Sequence, residues 1–130
     1  MSLFVKNVFI EGPDCSGKTT LIENIHKSTN YRYHVMDRSQ MSRSIFANLY
    51  DRNIPNIEED ISSELFDLNN IYIVLLPDLE IIEKRFKKRG DRIHTLDSLR
   101  DVYFAFKSSI IKKYVKFPNV FIIKDHKNAL

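Results

Sequence analysis

Residues 10 to 21 read Ile-Glu-Gly-Pro-Asp-Cys-Ser-Gly-Lys-Thr-Thr-Leu, "IEGPDCSGKTTL". Two of the chain's three glycines, Gly12 and Gly17, stand five apart here, with Lys18 and Thr19 directly behind the second. That is the spacing G-x-x-x-x-G-K-[ST], a loop whose backbone N–H groups can converge on phosphate oxygens. The stretch from Gly12 through Pro13, Asp14, Cys15, Ser16 and Gly17 would form the turn, and Lys18, Thr19 and Thr20 would open a helix. The positive end of that helix would point at the same anion. Lys18 is long enough to reach the outer phosphates, and Thr19 offers a hydroxyl to a bridging Mg²⁺. Cys15 reads as a small filler.

What flanks the loop agrees with it. Leu3 to Ile10 is apolar, β-branched and aromatic, which predicts a buried strand. Residues 17 to 29 carry Leu21, Ile22 and Ile25 at helical spacing. "YRYHVM", 31 to 36, predicts a second strand, and 40 to 52 a helix with Ile45, Phe46, Leu49 and Tyr50 on one side. Pro55 ends it, and residues 57 to 68 predict another helix facing inward through Ile57, Ile61, Leu65 and Leu68. A turn at Asn69 and Asn70 leads to "IYIVLL", 71 to 76, the clearest buried strand. Asp78 can cap a helix with Leu79, Ile82 and Phe86 inside, and Gly90 can close it. Thr95 or Asp97 can cap a long helix reaching about Lys116, with Leu99, Val102, Tyr103, Phe106 and Ile110 as its stripe. Pro118 and Asn119 then turn the chain into "VFIIK", 120 to 124. This alternation predicts an α/β fold in three layers: a short parallel sheet of about four strands flanked by helices.

The 130 residues fit one domain, residues 1 to 130, with a real core. Hydrophobic residues are 43% and charged residues 28%, which excludes a disordered chain. The longest apolar run, Ile71 to Leu76, is far short of a membrane span. The opening "MSLFVKNVFIEG" lacks the apolar core and cleavage site of a secretory signal. A single cysteine excludes an internal disulfide and a cysteine metal cluster, so a reducing cytoplasm is expected. The net charge of +3 favours anionic ligands without identifying a nucleic-acid binder.

Two further clusters carry chemistry. Asp37 and Arg38 close the second predicted strand, and ligands of open parallel sheets bind at such carboxyl ends. A carboxylate there can hold a Mg²⁺ water or accept a proton, and a guanidinium can grip a phosphate. In "EKRFKKRGDR", 83 to 92, Arg85, Arg89 and Arg92 recur at i, i+4, i+7, which allows an arginine-bearing lid around residues 85 to 96. Lys84, Lys87 and Lys88 read as a solvated face.

"IEGPDCSGKTT" resembles the thymidylate kinase signature. "DRSQMSRSIFANLYDR" is similar to the Asp-Arg motif of thymidylate kinases and to the Glu-Arg-Ser segment of deoxynucleoside kinases, and "VLLPDLEIIEKRFKKRGD" to the strand, helix and lid of both. The resemblance implies a P-loop kinase fold and an ATP-dependent, Mg²⁺-assisted kinase of a nucleoside or (deoxy)nucleoside monophosphate. By position it gives Lys18 and Thr19 to ATP phosphates and Mg²⁺, Asp14 to the acceptor's neighbourhood, and Asp37 and Arg38 to catalysis and acceptor orientation. Arg43 would assist at the acceptor, Arg85, Arg89 or Arg92 would supply the catalytic arginines, and Asp125 to Asn128 would hold adenine. The chain departs from the family in one place. Only 17 residues separate Thr19 from Asp37, where relatives carry the cover of the acceptor base, so a shortened or open acceptor pocket is expected. Such a compact form looks like the kinases of viruses and phages. Two alternatives stand beside it: a kinase acting on a nucleotide or modified base within DNA, and a nucleotide-binding protein with a degenerate acceptor site. No N-K-x-D guanine motif occurs, and exposed helix surface allows a homodimer.

Overall fold

The computed structural model describes residues 7–90 and 95–125. In chain order the elements are β1 (Asn7–Glu11), α1 (Lys18–Ser28), β2 (His34–Asp37), α2 (Gln40–Leu49), α3 (Ile57–Leu65), β3 (Asn70–Leu75), α4 (Leu79–Arg89), α5 (Leu96–Ser109), a π-helical turn (Ile110–Tyr114) and β4 (Val120–Ile123). The sheet runs β2-β1-β3-β4, and every neighbouring pair is parallel. The chain leaves β1 toward one edge, then crosses back over it to β3. Right-handed crossovers in opposite directions put their helices on opposite faces, and the sheet's crevice opens at the carboxyl ends where the direction reverses. Here that point is the end of β1.

Side chains follow the layering. Val8 and Ile10 face α1 through Leu21 and Ile25, with Leu75 joining them. Phe9, Tyr72 and Val74 point the other way, against α2, α3 and α5 through Met41, Ile45, Ile61, Leu65, Val102 and Phe106. That second cluster has twelve buried residues against five, so it is the main core. Phe106 is fully buried, which is worth about 2–3 kcal/mol. A third cluster of Cys15, Ile82, Leu99 and Tyr103 binds α4 and α5 to the loop after β1. Glu11 shares the period-2 face of Phe9 and therefore points toward α2.

Several boundaries differ from the sequence reading. β2 covers 34–37, not 31–36, because the turn that closes α1 takes up Tyr31: its N–H donates to the His26 carbonyl at 2.8 Å, and Asn30 and Tyr31 turn at φ 54° and 58°. Tyr31 also stacks on His26, with ring centroids 5.0 Å apart. α2 stops at Leu49 and α3 at Leu65, which leaves Tyr50 and Leu68 exposed. Asn70 begins β3 rather than a turn. The last helix is α-helical only to Ser109, where the chain widens into the π turn. Of the predicted first strand, residues 3–6 lie outside the described residues. No helix among the described residues is long and apolar enough to cross a membrane.

Candidate functional site

The loop after β1 is built on backbone that side chains resist. Gly12 has φ 153°, and a Cβ there would lie 2.5 Å from the Leu75 carbonyl oxygen and 2.9 Å from Ser16 Oγ. Only glycine fits such an approach. Cys15 and Gly17 also turn left-handed, at φ 64° and 98°. Gly17 is the N-cap of α1 and supplies no side-chain cap, so the first-turn N–H groups are left for an anion. Ser16 is buried, and its Oγ has no hydrogen-bond partner among the described residues. An orphaned hydroxyl, uncapped amides and a floor without Cβ fit a phosphate tail.

The end of β2 faces this loop. Lys18 Nζ lies 3.3 Å from Asp37 Oδ1, with the lysine side chain 11% exposed and the aspartate 57%. Arg38 Nη2 lies 3.4 Å from Asp14 Oδ1 in the loop. The Arg38 guanidinium also stacks on Phe46 of α2, 5.1 Å from the ring centroid. Its other nitrogen, Nη1, is buried without a partner among the described residues. From the opposite side, Arg85 Nη1 donates to the Cys15 carbonyl at 3.2 Å, and Arg89 Nη1 to Cys15 Sγ at 3.4 Å. Cys15 is thus a buried filler that also receives an arginine.

Together these groups line a cavity of about 520 Å³ running from Asp14 to Thr20 and across to Asp37, Arg38, Arg85, Lys88 and Arg89. Among the described residues five cationic side chains face two carboxylates there, a lining whose charge favours anions. Among the described residues no group of three or more His, Cys, Asp or Glu could hold a metal ion by itself. Mg²⁺ that rests mainly on phosphate oxygens needs no such group, and Thr19 and Asp37 are the candidates beside it.

Most predicted site residues therefore meet: Asp14 to Thr20, Asp37, Arg38, Arg85 and Arg89 line one cavity, over Gly12 and the buried Pro13. Arg43 does not. Its exposed guanidinium turns to Gln40 Oε1 at 3.0 Å and Asp60 Oδ2 at 3.9 Å, because helical spacing carries it away from Arg38. Arg92, residues 91–94 of the predicted lid and residues 126–128 of the predicted adenine site lie outside the described residues.

Two residues escaped the sequence reading. Lys88 lines the cavity, although a lysine-rich helix face ordinarily points to solvent. Glu11 is fully buried at the end of β1. Burial holds its carboxyl above the usual carboxylate range, and hydrogen bonds from Ser39 and Ser42 offset only part of that. A carboxylate closing an apolar strand just ahead of a glycine loop was the available signal.

Comparison with protein-family models gives no match, and comparison with curated proteins gives none.

Proposed function

We propose that the protein is an ATP-dependent phosphotransferase, thymidylate kinase-like, that acts on a nucleoside or (deoxy)nucleoside monophosphate. One observation carries this reading. The Asp37–Arg38 pair meets the phosphate loop twice, through Lys18 at 3.3 Å and Asp14 at 3.4 Å. A group that grips a donor and a group that aims an acceptor thus share one cavity. Bound here, Mg-ATP would supply the phosphoryl group and the cation that offsets its oxygens.

The chain's own part is positioning and charge. The Gly12–Gly17 turn and the uncapped α1 terminus hold phosphate oxygens. Lys18 exchanges Asp37 for those oxygens, which frees the half-exposed carboxylate to take the acceptor's proton or a metal-bound water. Arg38, steadied by Asp14 and Phe46, orients the acceptor. Arg85 and Arg89 lie against the loop from the other side, where they offset charge and exclude water.

Incubation with Mg-ATP and a panel of nucleosides and monophosphates tests the reading. Transfer to one class of acceptor is expected. Binding of ATP without transfer to any acceptor would make the chain a nucleotide-binding protein with a degenerate acceptor site. A second reading draws on β2 being a sheet edge with Asp37 57% exposed: the acceptor side is open enough for a nucleotide or modified base within DNA. Label on DNA and none on free nucleotides would select that reading.

A further inference from the structure

Both peptides flanking Arg38 are held by β1. The Arg38 N–H donates to the Ile10 carbonyl at 2.9 Å. The next N–H, that of Ser39, donates to Glu11 Oε2 at 2.8 Å, and the Ser39 hydroxyl donates to the same oxygen at 2.6 Å. The Ser42 N–H completes the set at 2.9 Å. Between these anchors Arg38 sits at φ 78°, a left-handed conformation that side chains avoid and that persists only where its surroundings over-determine it. An apolar side chain would fill this position without the cost of burying a carboxylate. Glu11 instead spends three acceptor contacts on Ser39 and the first turn of α2, while its Oε1 has no partner among the described residues. The residue after Glu11 is Gly12, so one strand end fixes both the phosphate loop and the arginine.

We infer that Glu11 is a positioning residue for phosphoryl transfer: its carboxylate pins the left-handed turn at Arg38 and so keeps that guanidinium at Asp14. The inference rests on the phosphotransferase reading, in which Arg38 orients the acceptor. It differs from a role as a helix cap, which would contribute to the stability of α2 and nothing else. Glu11→Gln separates the two. The amide keeps the shape and can leave its oxygen in the place of Oε2, but a neutral amide oxygen with two lone pairs holds three donors less firmly than a charged carboxylate oxygen does.

The test compares wild type, E11Q and S39A by Mg-ATP titration calorimetry, thermal melting, transfer kinetics and the side-chain Nε–Hε NMR signal of Arg38, assigned with R38K. E11Q is expected to melt within about 5 °C of wild type. It should keep wild-type Mg-ATP affinity, lose about 10²-fold in kcat and shift the Arg38 signal. S39A, which loses one of the three donors, should lose about fivefold in kcat. E11Q with wild-type kcat and an unmoved Arg38 signal would reduce Glu11 to a cap. If E11Q does not fold, S39A decides, and unchanged kcat there overturns the pin. A wild-type chain that binds no Mg-ATP would defeat the phosphotransferase reading instead, and the Arg38 signal alone would then judge the pin.

Discussion

β1 and β2 end side by side above the same cavity, and they end in different ways. β1 is hydrogen-bonded on both flanks, is buried from Val8 to Glu11, and runs into a loop made by its own backbone. β2 is a four-residue edge strand with exposed ends at His34 and Asp37. Its turn at Arg38 is fastened by atoms of Ile10 and Glu11, which belong to β1. The loop after β1 is self-supporting, and the turn that closes β2 is borrowed. Changes at the end of β1 should therefore remove function or fold outright, and changes at the end of β2 should misdirect it.

The sharpest break is Lys18→Ala. Its amine is the cation that the loop itself holds inside the cavity, and its loss should cost transfer about 10³-fold in kcat/KM. Its present partner, Asp37, is mostly exposed, so losing that pair costs the fold ~1 kcal/mol or less. Steady-state kinetics beside a thermal melt check both halves. Unchanged turnover would take the loop out of the chemistry.

Gly12→Ala comes next and strikes the fold as well. The new Cβ would meet the Leu75 carbonyl oxygen at 2.5 Å, at a backbone angle closed to alanine. A loss of about 2–4 kcal/mol by urea unfolding is expected, with Mg-ATP binding gone. Gly90→Ala is the control. Gly90 also turns left-handed, at φ 64°, but a Cβ there meets nothing within 4 Å, so about 1 kcal/mol is expected.

The arginines should divide along the same line. Arg38→Ala is expected to lower kcat/KM for the acceptor by about 10²-fold while the KM for ATP holds. Arg85→Ala and Arg89→Ala touch the loop through Cys15, and each should lower turnover about tenfold with a melting temperature near that of wild type. Full activity in both variants would return these arginines to a solvated helix face.

The same contrast explains what could be read in advance. The loop from Gly12 to Gly17 is contiguous, and its glycine spacing encodes its tight turn, so its backbone was legible residue by residue. β3 was legible because "IYIVLL" is apolar without a break and lies in the sheet's interior. The turn after β2 depends on contacts across the chain, such as Glu11 to Ser39 and Ser42, which no local period announces. Tyr31 and Tyr33 suited a strand by propensity, but the N–H of Tyr31 was taken by the end of α1, and the strand starts three residues later than expected. Arg43 shares a motif with Arg38 in the sequence yet leaves it in space, because the α2 spiral turns it toward Asp60. The π turn at Ile110–Tyr114 continues the apolar period of α5 and left no mark in it.

The smallest effect is a slope with pH, and it tests the borrowed anchor directly. Glu11 is held above its ordinary 4.5, chiefly by burial, whereas in the unfolded chain it titrates normally. Below pH 4.5 both states carry the proton, and the group's contribution to stability is fully present. As pH rises through the raised folded value, the native state must release a proton that it holds more tightly than the unfolded chain does, so stability falls, by about 1.4 kcal/mol for each unit of displacement. The amide that replaces the carboxyl in E11Q cannot titrate. The stability of wild type minus that of E11Q should therefore decline as pH rises above 4.5, as read by urea unfolding of both chains. Tyr72 and Tyr114, whose hydroxyls are raised first by burial and, among lesser causes, by the Glu11 charge, stay protonated through neutral pH and add no slope there. A flat difference would mean that the amides of Ser39 and Ser42 offset the burial completely. A declining one means that the carboxylate is a net cost to the fold at neutral pH, and a costly group kept beside Arg38 has its reason in where it holds the arginine, not in what it adds to stability.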